Sequence, residues 1–271
     1  MPHRKPPFRW ELGPRAYNAL ALLGVLFLLV LLVSLSGVHL DRGHLLPALG
    51  WTAVFAAAAW LLRGVTLSGA LAGAGIAFLL YLTGGPAAFL TLLSVFLLSL
   101  AATRFGYGRK RLLGVAEQRH GRTAAQVVAN LFAASLFSLF AGLPGCVAAS
   151  VAALAEAAAD TVSSEIGQAV GKDPVLITTF KPVAIGADGG ISLPGTAAGL
   201  VAALAVSVMA VKSGWLPSHH LLLATGAGFF GMLLDSVLGA TLERRGRMNN
   251  DAVNFGGTAV AALLAVCLAR L

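Results

Sequence analysis

Charge is what this chain of 271 residues has least of. Asp, Glu, Lys and Arg make up 11% of it, against 58% hydrophobic residues and a mean hydropathy of +0.84. A water-soluble domain carries about 25% charged residues, so a soluble globular fold is excluded. Cysteine is equally scarce. Cys146 and Cys267 both stand in apolar runs and read as small core residues, not as disulfide or metal partners. No His-Glu-x-x-His pair occurs, no serine–histidine–acid set is credible, and no internal repeat is evident. Gly167-Gln168-Ala169-Val170-Gly171-Lys172-Asp173 is one residue short of a P-loop between its glycines and has Asp after Lys, so it is not one. His219 and His220 stand apart from the acids.

What the chain does have is long apolar runs, each of the order of the roughly 20 residues that cross a bilayer. Nine spans are expected, at about 16–38, 45–62, 64–83, 86–103, 123–142, 144–160, 191–211, 219–241 and 252–270. The first follows His3-Arg4-Lys5, is too long for a signal-peptide core and is read as a retained span. The segment 144–160 is short and ends in acid, so it is either tilted or broken, and 161–172 either continues it or lies at the interface. The fold class is thus an all-α, polytopic transmembrane helical bundle of about nine spans.

Orientation follows from the bases. With a cytoplasmic N-terminus, sixteen of the nineteen Lys and Arg residues fall on one side, among them Arg109, Lys110, Arg122, Lys181 and Arg245. Positive residues favour the cytoplasmic side, so the N-terminus is expected inside. The net charge of +8 and the pI near 10.2 then need no nucleic-acid partner. The bilayer is the expected partner, and a bacterial inner membrane the expected location, with the site facing the cytoplasm. Residues 1–271 are read as a single membrane domain, in which 1–103 holds spans of low polarity and 104–271 the motif-bearing spans and loops. Within the first part, Gly69 and Gly73, four apart, suggest a close helix contact.

Eight of the eleven acids crowd into the last three inner loops and the spans beside them. An acid at the edge of a bilayer is costly and usually functional. On a helix, Glu156, Asp160 and Ser164 share a face. Glu165 lies roughly 140° from Asp160, so both reach one ion only if the helix breaks near Thr161. Hard oxygen ligands of this kind suit Mg²⁺, which uses one or two carboxylates plus substrate phosphates; the alternative is helix capping by Asp160 or Ser163. The run from Lys181 through Gly186, Asp188, Gly189 and Gly190 to Ser192 offers either an anion nest before a helix N-terminus or a tight loop capped by Ser192. Asp235, Gly239 and Glu243 share a helical face, with the glycine leaving room for a ligand or another backbone. Asn250, Asp251 and Asn254 form either a polar site or an N-cap cluster. Arg122, Gln126 and Asn130 recur at four-residue spacing, either to hold phosphate or to join helices.

Taken in order, these blocks resemble one family. It is the integral membrane family long known only as a domain of unknown function, which includes the plant phytyl-phosphate kinase of tocopherol synthesis. The matching stretches are Gly121-Arg122 through Gln126 and Asn130, Asp160-Thr161 with Ser164-Glu165-Ile166-Gly167, and Pro174 to Thr179. Gly186 to Ser192, Asp235-Ser236 with Leu238 to Thr241, and Asn250-Asp251 with Asn254-Phe255 complete the set. Ala187 departs from the family's more usual Thr, which removes a possible hydroxyl contact, and Glu243 from the expected Gln, which alters the local charge. The resemblance implies phosphoryl transfer from a nucleoside triphosphate, plausibly CTP, to an isoprenyl monophosphate. It implies Mg²⁺ on some of Asp160, Glu165, Asp188 and Asp235, which are also the catalytic acids, with Arg122 and Lys181 on phosphate. Gln126, Asn130, Ser164, Gly189, Gly190, Ser192, Ser236, Asn250, Asp251 and Asn254 are the further residues expected to contact substrate or nucleotide. The alternative is a transporter of an ion or small solute, since intramembrane acids also line transport paths.

Overall fold

The computed structural model describes residues 42–116 and 121–270. The expected first span, 16–38, lies outside the described residues. Helix α1 (Arg42–Leu61) is followed by α2 (Leu67–Arg104), a short α3 (Tyr107–Leu112), α4 (Ala124–Ser138) and α5 (Cys146–Val170). A two-stranded ladder of β1 (Val175–Leu176) and β2 (Gly190–Ile191) precedes α6 (Leu193–Lys212), α7 (Leu221–Leu238) and α8 (Asn250–Leu268).

Helix α2 is 38 residues long, yet it is not a rod. Gly85 has φ 63° and ψ −159°, outside the helical region, and Pro86 follows it. The rings of Tyr81 and Phe89 lie 5.8 Å apart, whereas eight residues of straight helix rise about 12 Å. A Cβ on Gly64 would lie 2.9 Å from the Phe96 ring. The helix therefore doubles back at Gly84-Gly85-Pro86, and its two arms correspond to the expected spans 64–83 and 86–103.

Among the described residues, six helices are long and apolar enough to cross a membrane. The expected nine are not reached there, for three reasons. The first lies outside the described residues, two are the arms of α2, and α4 has only 15 residues before the chain enters turns at 139–145. Of the two readings of 161–172, the one in which it continues the span from 144–160 holds. Helix α5 runs unbroken through Asp160 and Thr161 to Val170.

Helix α5 is the axis of the molecule and packs against α2, α3, α4, α6, α7 and α8. Its alanines explain why. Ala has the highest helix propensity, and its small side chain lets several neighbours approach at once. From Ala148 to Ala159 every residue is buried. Gly195 and Gly199 of α6 press against the Ser163 and Ala159 carbonyls, and Gly228 of α7 lies against Ala155 and the Glu156 backbone.

Two contacts fix the polar end of α5. Arg109 donates to the Ala169 and Gly171 carbonyls at 2.8 and 3.2 Å, which satisfies carbonyls that a helix C-terminus leaves open. Lys110 is fully buried and forms an ion pair with Glu165. Its remaining protons go to the Ala102 and Thr103 carbonyls at 3.2 and 2.8 Å.

Candidate functional site: two cavities with a common wall

Asp160, Glu165, Asp188, Asp235 and Glu243, all from the motif-bearing half, come together around a polar cavity of about 400 Å³. One wall is α5, which contributes Asp160, Thr161, Ser164 and Glu165. A second is α7 and the turn after it, with Asp235, Ser236, Gly239 and Glu243. The loop from Gly186 to Ser192, the start of α4 and the start of α8 supply the rest, with Asp188, Gly189, Gly190, Arg122, Gln126, Asn130, Asn250 and Asn254.

The walls facing α5 are built by local departures from regular helix. Residues 239–243 form a π-turn at the end of α7, a feature frequent at functional sites. It brings Gly239 to the 186–190 loop, where its Cβ would lie 3.0 Å from the Gly189 nitrogen. The room that the sequence left between Asp235 and Glu243 is therefore taken by another backbone. Gly189 has φ +70° and lies against the backbone of Ala240. Any side chain there would meet both a left-handed conformation and a steric block. The ladder pairing Val175 with Ile191 and Leu176 with Gly190 closes the base of this loop. Ser192 caps α6, accepting from Gly195 N at 3.3 Å.

Arg122 is held from the opposite direction. Its backbone bridges to Val65, donating to the Gly64 carbonyl at 3.1 Å and accepting from Thr66 N at 2.9 Å. A Cβ on the preceding Gly121 would lie 2.6 Å from Val65 N. The Arg122 guanidinium donates to Thr161 Oγ1 at 3.0 Å, one residue along α5 from Asp160, and acts electrostatically on Asp160. Gln126 also serves the start of α4, where its Oε1 accepts from Thr123 N at 2.8 Å in a capping box.

An amide chain joins the remaining motifs. Asn130 donates to the Gln126 carbonyl at 2.9 Å. With the Asn254 amide oriented to suit its neighbours, its oxygen accepts from Asn130 Nδ2 at 3.1 Å. Its nitrogen then donates to Asp235 Oδ2 at 3.3 Å and to the Asn250 carbonyl at 3.2 Å. Three patches separated in sequence thereby orient one carboxylate. The helix cap itself is Asn249, which accepts from Ala252 N at 2.9 Å.

Glu165 lines the cavity but its carboxylate is engaged by Lys110, as expected for a residue roughly 140° around an unbroken helix from Asp160. Asp251 does not line the cavity, and Lys181 stands exposed outside it. Sequence reasoning missed Lys110 as a structural partner, because a basic residue in a basic loop carries no signal of burial.

Glu156 sits one turn deeper than Asp160. It is 1% exposed, and neither of its oxygens has a hydrogen-bond partner among the described residues. Gly231 and Gly257 make the space for it, since a Cβ on either would press on its side chain. A buried polar group without a partner is uncommon and marks a strained or functional position.

No group of three or more His, Cys, Asp and Glu side chains among the described residues is arranged to hold a metal ion by itself. The donor set is nonetheless all hard oxygen, from Asp160, Asp188, Asp235 and Glu243. That suits Mg²⁺, which keeps waters and shares its shell with phosphates, better than a metal needing an all-protein cage.

A second cavity of about 330 Å³ adjoins the first. It lies between α1, the two arms of α2, α4 and α5, and its lining is mostly apolar, including Phe55, Leu92, Phe96 and Leu131. Arg122, Gln126 and Asn130 line both cavities. They form a common wall between an acidic chamber and a hydrocarbon-like one.

Residues 50–262 match the family described as integral membrane protein DUF92. An uncharacterized membrane protein of Synechocystis is 33% identical over 189 residues, covering 66% of this chain and 72% of that one. An uncharacterized membrane protein of Methanocaldococcus jannaschii is 34% identical over 182 residues, covering 65% and 74%. Protein VTE6, chloroplastic, of Arabidopsis thaliana is 31% identical over 220 residues, covering 77% of this chain and 66% of that protein. No solved structure matches. On the extent of the family match and the coverage of these relatives, the chain belongs to the DUF92 family of integral membrane proteins.

Proposed function

We propose that this protein transfers a phosphoryl group from a nucleoside triphosphate, with CTP the favoured donor, to an isoprenyl monophosphate, giving the prenyl diphosphate. The observation that carries this reading is the pair of cavities sharing the Arg122–Gln126–Asn130 wall. A lipid phosphate has an apolar tail and an anionic head, and the two chambers differ in the same sense. The resemblance to the family of the plant phytyl-phosphate kinase, and the similarity to the chloroplast protein VTE6, support the same choice.

The chemistry asks little of a general base. A phosphate monoester with a second pKa near 6 is largely dianionic at about pH 7. One of its oxygens attacks the γ-phosphorus, a P–O bond forms there, and the bond to the β-phosphate oxygen breaks to release the nucleoside diphosphate. Alignment and charge neutralisation are then the main needs. Arg122, fixed on Thr161, holds the acceptor phosphate at the common wall. Asp235, oriented by Asn254, and Asp160, on the facing helix, line the chamber that takes the triphosphate. Gly189 and Gly190 present backbone, and Ser164, Ser192, Ser236 and Asn250 present polar side chains, to the same space. Mg²⁺, held by Asp160 and Asp235 with Asp188 beside them, would neutralise charge on the triphosphate. Glu165 has a different role in this reading, as the partner of Lys110. The site faces the cytoplasm of a bacterial inner membrane, where nucleotides are found, in line with the positive-inside bias.

The test is a turnover assay on purified protein with several prenyl monophosphates, CTP, ATP and Mg²⁺. Formation of prenyl diphosphate is expected. Its absence with every acceptor and donor would favour the transporter reading, to which the buried and unpartnered Glu156 would then be the first guide.

A further inference from the structure

The apolar cavity has a direction. On α1 and the two arms of α2 its lining begins beside the common wall and ends deeper in the bundle. On α4 it runs from Gln126 to Leu131, on the first arm of α2 from Gly69 to Gly73, on the second arm from Arg104 to Leu92, and on α1 from Leu62 to Phe55. From Arg104 to Leu92 is about 18 Å of helix at roughly 1.5 Å per residue. Phe55 ends the lining on α1, and its ring meets Phe89 and Phe96 edge-on at 5.6 and 5.3 Å.

Gly73 is the last lining residue on the first arm of α2, one turn beyond Gly69, and it has no side chain. Among the described residues, a Cβ there would meet only Val127 Cγ1, at 3.8 Å, an ordinary contact. The glycine is therefore not required by close backbone packing. Gly69, one turn nearer the common wall, is in the opposite position, since its Cβ would press on the Arg122 carbonyl. The two glycines that the sequence paired as one packing motif thus differ. Gly69 permits a contact, and Gly73 leaves a space.

We infer that the apolar cavity beyond the common wall, lined by Phe55, Gly73, Leu92 and Leu131, measures the hydrocarbon tail of the lipid phosphate, with the space left at Gly73 part of that measure. This rests on the lipid-phosphate substrate proposed above. The phosphate is fixed at Arg122, so tail length decides how far the chain reaches. Each methylene-sized group buried is worth about fourfold in affinity, and a tail gains that only where empty apolar space remains.

The experiment measures binding of a series of prenyl monophosphates, lengthened one isoprene unit at a time, to the full chain in nanodiscs without nucleotide. Turnover with CTP and Mg²⁺ is measured on the same samples. Gly73→Leu is expected to weaken binding of the longest chain accepted by the unmutated protein by at least about tenfold, and to leave the shortest unchanged. Gly73→Ala should do the same by about fourfold. Phe55→Ala should extend the series, improving binding of the next longer chain. Gly75→Leu, on the same arm but off the cavity with nothing within 4 Å of its Cβ, should leave the length profile as it was. If Gly73→Leu fails to fold, Gly73→Ala and Phe55→Ala pose the same question with smaller and opposite changes in space. A length profile unaltered in these variants overturns the inference, even with turnover intact. Length-dependent binding that Gly73→Leu shortens, without any phosphoryl transfer, upholds the inference and removes the kinase reading instead. Absence of binding by any prenyl phosphate removes both.

Discussion

The two cavities meet at one wall and are built by opposite means. The apolar one is walled mainly by regular helix, and part of its space comes from small residues such as Gly73, Ala59 and Ala157. The polar one sets interrupted backbone against the unbroken helix α5. A π-turn at 239–243, a two-residue ladder at the mouth of a glycine loop, and the starts of α4 and α8 deliver its acids and amides. Regular helix satisfies its own backbone and leaves only side-chain volume to vary, which suits a tail recognised by bulk. Interrupted backbone brings distant polar groups to one point, which suits a charged group recognised by position.

The Lys110–Glu165 pair joins the two regions, tying α3 and the end of the α2 hairpin to α5. Removing one partner of a buried pair leaves the other uncompensated, at a cost of about 3–5 kcal/mol. Lys110→Met should therefore lower unfolding stability by that amount, and Lys110→Met with Glu165→Leu should recover most of it. Denaturation in a fixed detergent checks this, and a double variant no more stable than the single one would show that the pair is not what joins the halves.

Within the polar cavity, Asp160→Asn keeps the size of the side chain and removes its charge. Phosphoryl transfer should fall by about 10²-fold or more, by analogy with loss of a preorganised electrostatic contact, while membrane insertion and stability hold. Turnover at saturating prenyl monophosphate and Mg²⁺-CTP reads this, and a value near that of the unmutated protein would end the role given to Asp160.

Glycine replacement contrasts the two building methods directly. Gly189→Ala meets the Ala240 backbone and a φ of +70°, and should cost about 1–3 kcal/mol, seen as faster proteolysis within the 171–192 loop. Gly73→Ala meets one ordinary contact and should leave that digestion rate unchanged. Equal sensitivity at both positions would mean that the loop is not docked on the π-turn through Gly189.

The smallest effect is expected at Lys181. It is exposed and does not line the polar cavity, so Lys181→Ala should shift stability by no more than about 0.5 kcal/mol and KM for the nucleotide by about twofold. A tenfold rise in KM would bring the 177–181 segment back into the binding site.

Much of this was legible in one dimension. Helical membrane architecture follows from apolar runs, because a bilayer leaves backbone groups no partner but their own chain. Asp160, Asp188 and Asp235 stood out because charge is expensive in such surroundings, and all three line the same cavity. The hairpin turn at Gly84-Gly85-Pro86 is likewise a local signal. What required the tertiary structure is every relation that depends on rotation or on a distant neighbour. The course of α5 past Asp160 turned Glu165 toward Lys110, because one extra residue beyond a helical repeat changes the face. The amide chain from Gln126 through Asn130 and Asn254 to Asp235 crosses three helices. The apolar cavity has no motif at all, for empty space is the difference between surfaces that only packing brings together. Local sequence determines which segments are helical and which residues are costly to bury; it does not encode the angle at which one helix faces another, and that angle decides which costly residues share a site.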